Sequence, residues 1–205
     1  NRRLVINNFQ QISKLLQFRS DDDFYHLQII KRKKDHPEIG SNSLVIKTYY
    51  IKSEDHLAKV EPEIIAICDF HGARACINLN RRSFEKMAFH TLKKVTDQIM
   101  NKDFKSVRKA YESVCGAYAN ESNKKWIIDI DNISIDGFNH QAGMIQLRSR
   151  IIELQIEAGH LQSMNFIRTK SGIHIISAPF NLQKFREEFP DIDVHKDNPT
   201  ILYIS

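Results

Sequence analysis

Cysteine, proline and glycine are all scarce in this chain, with three, five and seven among 205 residues. Cys68, Cys76 and Cys115 are odd in number, and their spacing fits neither a zinc knuckle nor a redox pair. Cys68 and Cys76 sit among apolar neighbours and read as small core residues. A reducing, intracellular setting, cytoplasmic or nucleic-acid-associated, is therefore expected. Repeats and low-complexity stretches are absent. So is any run of about 18 apolar residues, which leaves no candidate membrane-spanning helix. The opening Asn1-Arg2-Arg3-Leu4 lacks the apolar stretch of a secretory signal. Without an initiator Met, the chain reads as a trimmed or excised piece of something longer.

What is present suits one domain, or two small lobes sharing a core. The hydrophobic share of 41% and charged share of 27% are those of a globular protein. A net charge of +5 suits a phosphate-rich partner. Its distribution is more specific. Lys31-Arg32-Lys33-Lys34 taken alone reads as a solvated surface, Arg81-Arg82 is a pair, and Arg168 and Lys170 flank a turn.

Periodicity predicts a short helix over 5–18, then strands over 24–30 and 44–51, with a loop holding Pro37 and Gly40 between them. A strand is expected over 64–70, a turn at His71-Gly72 and a returning strand over 73–79. Ser83 is a helix N-cap, with Lys86 where a full capping box has Glu, and apolar spacing carries that helix to Met100. A further helix over 106–118 runs into the polar stretch 120–123. That stretch divides an N-terminal α/β lobe, 1–120, from a second lobe, 121–205.

The second lobe is the more readable. Trp126-Ile127-Ile128-Asp129-Ile130-Asp131 is a strand. Met144, Leu147, Ile151, Leu154 and Ala158 recur in steps of three and four, an amphipathic helix ended by Gly159. Strands over 164–168 and 173–177 flank the tight turn 169–172, a short helix precedes Pro190, and 200–204 closes the chain as a strand. The class is α/β in the α+β sense, and the order β-α-β-β-α-β is that of a ferredoxin-like or RRM-like unit.

In that unit the first strand is central, and residues two apart share a face. Asp129 and Asp131 therefore project together, about 7 Å apart, while Trp126, Ile128 and Ile130 turn to the helices. Two adjacent carboxylates repel each other, and a hard divalent ion, Mg²⁺ or Mn²⁺, resolves the repulsion. The third strand brings His174 near them. Thr169-Lys170-Ser171-Gly172 offers backbone N–H groups, a hydroxyl and a lysine to a triphosphate. Metal and phosphate sites on one surface are what two-metal phosphoryl transfer requires.

Ile128-Asp129-Ile130-Asp131 followed by Ser171-Gly172-Ile173-His174 resembles the archaeo-eukaryotic primase superfamily, which includes the primase-polymerases. The resemblance covers residues 126–205. It implies a DNA primase or polymerase, a nucleotidyltransferase of DNA replication that joins nucleoside triphosphates on a single-stranded or primed DNA template. It further implies metal ligands at Asp129 and Asp131 and a phosphate contact at His174, joined by Lys170, Ser171, Gly172 and Arg168. A third acid is implied on or before the last strand, either Asp193 in a hydrophobic-Asp setting or its competitor Asp197. Thr200-Ile201-Leu202-Tyr203 departs from the arginine-bearing stretch that many members carry there. By analogy alone, a helicase or other replication domain could accompany it.

Asn78 to Ser83 is a candidate nucleotide or nucleic-acid surface, and Arg81 and Arg82 either bind template phosphates or sit at the start of a surface helix. His195 is either a partner of Asp193 or an exposed loop residue, Tyr203 either a site residue or core, and His71, His140 and His160 are peripheral. Two rival readings remain. An RRM-like module that binds single strands without catalysis would place aromatics, not acids, on its central strand. A metal-dependent nuclease could use the same carboxylates but explains the triphosphate-like turn at Lys170-Ser171 less well.

Overall fold

The computed structural model describes residues 5–119, 121–133, 142–160 and 163–205. The strands are Ile6–Asn7 (β1), Asp23–Arg32 (β2), Ser43–Ile51 (β3), Arg74–Asn78 (β4), Arg82–Ser83 (β5), Trp126–Asp131 (β6), Asn165–Arg168 (β7), Gly172–Ser177 (β8), Asp193–His195 (β9) and Pro199–Ile204 (β10). The α-helices are Phe9–Ser13 (α1), Glu54–His71 (α2), Phe84–Met100 (α3), Ala110–Ala117 (α4), Ala142–Glu157 (α5) and Leu182–Glu188 (α6). The protein is thus mixed α and β, with two antiparallel sheets. One runs β1-β10-β4-β2-β3, with β5 also on β2, and the other runs β7-β8-β6-β9. No helix among the described residues is long and apolar enough to cross a membrane.

Most of the expected elements form, and the exceptions have local causes. The segment 64–70, expected as a strand, lies in α2. Ser53 caps that helix, its hydroxyl accepting the His56 N–H at 3.0 Å, and Leu57, Ile64 and Cys68 are buried at helical spacing. A short apolar run does not by itself separate strand from buried helix. The helix expected over 5–18 shrinks to α1, because Ile6 and Asn7 pair with Ile204 and Tyr203 of β10. Ser83 does cap α3, accepting the Lys86 N–H at 3.1 Å. Gly159, at φ 73°, lets the chain turn out of the last helical turn of α5.

The largest difference concerns the end of the chain. Residues 200–204 are expected to close the β-α-β-β-α-β unit, yet β10 enters the other sheet between β1 and β4. The three residues of β9 stand beside β6 instead.

Alternation along β6 divides its side chains between two cores. Trp126, Ile128 and Ile130 pack with Ile173 and Ile175 of β8, Leu147, Ile151 and Leu154 of α5, and Phe185 of α6. Ile127, with Ile167 and Ile176, joins the core of the first sheet. The face of β6 that carries the aspartates therefore looks toward the first sheet.

A buried polar clamp holds the two sheets together. The Asn80 side chain accepts the Lys125 N–H at 2.7 Å and donates to the carbonyls of Lys125 and Lys196, at 2.9 and 3.1 Å. Asn78 donates to the Asp197 carbonyl at 2.7 Å. These contacts fix the start of β6 and the exit of β9 against the strand β4 and the turn after it.

Candidate active site

In an antiparallel pair, residues directly opposite each other share a face. Asp129 lies opposite His174 on one side and Asp193 on the other, so these three form a row across β8, β6 and β9. Asp131 stands on the same face, opposite Gly172. Gly172 is required there for space. A Cβ on it would fall 1.9 Å from the Ile130 carbonyl oxygen, so only glycine lets β8 approach β6 this closely. The Asn132 N–H then donates to the Ser171 carbonyl at 2.7 Å, and the Ser171 hydroxyl donates to Asp131 Oδ1 at 2.7 Å. The turn expected to receive phosphate is thereby tied to one of the two acids.

The electrostatics follow from this crowding. Partial burial pushes the Asp129 carboxyl above its usual range, and Asp131 and Asp193 push the same way against the pull of His195 and Arg32. His174 is moved down to about 4, chiefly by burial and then by His195. Its ring is therefore neutral at pH 7, and the 3.5 Å approach of Nε2 to Asp129 Oδ1 is not an ion pair between full charges. Because a carboxylate can only accept, Nε2 is assigned the proton, and Nδ1 accepts from the Thr200 hydroxyl at 2.8 Å.

These groups open on a cleft of roughly 480 Å³ between the sheets. Asp129, Asp131, His174, His195 and Ser171 line one side, and Arg32, Lys34 and Arg74 line the other. Among the described residues, no group of three or more His, Cys, Asp or Glu side chains is arranged to hold a metal ion. A carboxylate pair beside a cleft nevertheless fits Mg²⁺ or Mn²⁺, which keep waters and take substrate phosphates as ligands. A zinc site, by contrast, takes three or four protein ligands, usually with nitrogen or sulfur among them.

The chain matches no known family model. No curated protein and no solved structure matches it either.

The remaining expected residues separate into those at the cleft and those elsewhere. Lys170 and His195 line it. Asp197 does not reach it, because both of its carboxylate oxygens are held by Arg82. Arg168 lies opposite Ile173, on the helix-packed side of the sheet and away from His174. Arg81 and Arg82 require a correction. They are 1% and 0% exposed, with Arg81 on Glu121 and the Gln17 carbonyl and Arg82 on Asp197 and the Cys115 carbonyl. Buried guanidinium groups with these partners cannot present themselves to a nucleic-acid backbone. Tyr203 is core, its hydroxyl donating to Asp69 at 2.9 Å. His71 ends α2 against Phe70, His160 is exposed, and His140 lies outside the described residues.

Sequence reasoning missed Arg32, Lys34, Arg74 and Thr200. The run at 31–34 was a visible signal. What made it look like plain surface is that its opposite wall comes from β6 and β8, far along the chain.

Proposed function

We propose that the protein is a metal-dependent, template-directed nucleotidyltransferase of the primase-polymerase kind, acting on nucleoside triphosphates and a single-stranded or primed DNA template. The observation that carries this reading is Asp129, Asp131 and His174 lining a cleft whose other wall is basic, with Asp193 opposite Asp129 on the neighbouring strand. An RRM-like arrangement of the second sheet belongs to the same proposal. It is supported by the antiparallel order β7-β8-β6-β9, with α5 and α6 packed on one face.

A divalent ion bound here would neutralise phosphate charge and lower the pKa of an attacking 3′-hydroxyl. Asp129 and Asp131 would hold it, with Asp193 the nearest further carboxylate on the same face. The Ser171 hydroxyl orients Asp131, and the Thr200 hydroxyl fixes the His174 ring so that its N–H points into the cleft. A neutral imidazole donates a hydrogen bond to a phosphate oxygen without setting a full charge against the aspartates. In the reaction the 3′-oxygen bonds to the α-phosphorus, the bond to the bridging oxygen breaks, and pyrophosphate leaves. The hydroxyl proton passes to water.

The non-catalytic binding reading is disfavoured by the same face. Ile127, Asp129, Asp131, His174, Ile176 and Ile167 occupy positions where base-stacking sheets carry aromatic rings. The deciding experiment is extension of a primed single-stranded template with Mn²⁺ and either ribo- or deoxyribonucleotides. Asp129→Ala and Asp131→Ala should each abolish extension in a folded protein. Undiminished synthesis by both variants would sink the assignment.

A further inference from the structure

Beside the carboxylate cleft lies a second hollow of roughly 520 Å³. Arg32, Lys34, Arg74 and Lys170 line both spaces, so cations pave a continuous route from the aspartates outward. One carboxylate, Asp35, stands among them. It accepts from Lys170 Nζ at 2.6 Å and also from Arg74 Nη2. Burial raises the Asp35 carboxyl, but Lys170 and Arg74 outweigh that and leave it below its usual range. The arrangement is also long-range. Asp35 follows β2 in the first sheet, whereas Lys170 sits in the β7–β8 turn, 135 residues away.

An oxygen anion that bridges an arginine and a lysine between two lobes does what a phosphate would do there. Lys170, with more than half its side chain exposed, is also free to exchange one anion for another. We propose that this hollow is an oligophosphate site for the tail of a nucleoside triphosphate, and that Asp35 is a built-in placeholder displaced when the tail enters. The inference deepens the proposed function and rests on it for the identity of the nucleotide. The placeholder holds the cations paired in the empty protein.

The test uses inorganic tripolyphosphate with the whole chain in metal-free buffer, read by calorimetry. Wild type should bind it. Asp35→Asn should bind on the order of fivefold more tightly, the scale of a partly exposed ion pair removed. Lys170→Gln should bind several-fold more weakly, and high salt should erase these differences. In the wild-type protein, the Asp35 carboxyl followed by carbon NMR should titrate at higher pH once tripolyphosphate is bound, because its cations have left it. That readout serves even if a variant misfolds.

Unchanged or weaker binding by folded Asp35→Asn, or an unmoved Asp35 titration, overturns the placeholder. Equal competition by a single-stranded oligonucleotide without terminal phosphate overturns the assignment to an oligophosphate tail. Because binding is read without turnover, a protein that binds tripolyphosphate as expected but never extends a primer loses the polymerase reading and keeps the pocket. An active enzyme indifferent to Asp35→Asn loses the pocket alone.

Discussion

Arg82 donates to both carboxylate oxygens of Asp197, at 3.1 and 2.8 Å, across 115 residues of sequence. Arg82 is fully buried and Asp197 only partly exposed, so neither charge finds enough water if the other is removed. Breaking a buried pair from one side costs about 3–5 kcal/mol. Arg82→Ala and Asp197→Asn should therefore both destabilise the fold, Arg82→Ala by about that amount and Asp197→Asn by less. Urea unfolding measures the loss. If Asp197→Asn instead left stability intact and abolished metal binding, Asp197 and not Asp193 would be the third acid.

That pair also marks where sequence stopped being legible. The helix 142–157, the hairpin 165–177 and the strand 126–131 are set by local periodicity and by Gly159 and Gly172, so each could be read directly. His174 opposite Asp129 follows from that local order. The placement of 200–204 does not, because strand partners are chosen by burial on both faces and not by neighbours in sequence. The basic residues misled in both directions for the same reason. Arg81-Arg82 looks like surface and is buried by Glu121 and Asp197, while Arg32 and Lys34 of the run at 31–34 look like surface and line the cleft of the aspartates. Charge in a sequence says nothing of its counter-ion until the chain has folded.

Gly172 packs against the Ile130 carbonyl so tightly that a methyl group has no room. Gly172→Ala should force β8 away from β6 and cost roughly 1–3 kcal/mol, the scale of an overpacked core contact. The loss should appear in chemical unfolding. It should be accompanied by weakened nucleotide use, since His174 is carried on the same strand. A Gly172→Ala protein of wild-type stability would contradict the close approach.

The carboxylate pair should make stability depend on metal. With Asp129 raised by burial and by Asp131, the folded protein binds a proton more readily than the unfolded chain does. Its contribution is thus present below the ordinary carboxylate value of 3.8 and is lost as pH rises through the folded value. At neutral pH without metal, Asp129→Asn should therefore be as stable as wild type or more so. Added Mn²⁺ should reverse the order by stabilising wild type alone, by about 2.7 kcal/mol at one hundred times its dissociation constant. Thermal melts with Mn²⁺ and with a chelator check both halves. Equal stabilisation of wild type, Asp129→Asn and Asp131→Asn would place the ion elsewhere.

His26 supplies an acid-sensitive element away from the cleft. It is 2% exposed, Nδ1 lies 3.4 Å from Asn78 Oδ1, and Nε2 has no hydrogen-bond partner among the described residues. Burial, helped by the nearby Arg82, moves it from 6.5 to about 4. The folded ring stays neutral while the unfolded chain takes up a proton near pH 6.5, so unfolding binds protons between those two values. Stability from this residue is complete above pH 6.5 and falls as pH drops toward 4, by about 3 kcal/mol at most. His26→Gln keeps a polar side chain but cannot titrate. Its urea midpoint should change less than that of wild type between pH 7.5 and 4.5, and parallel profiles for the two proteins would show that His26 does not carry the acid sensitivity.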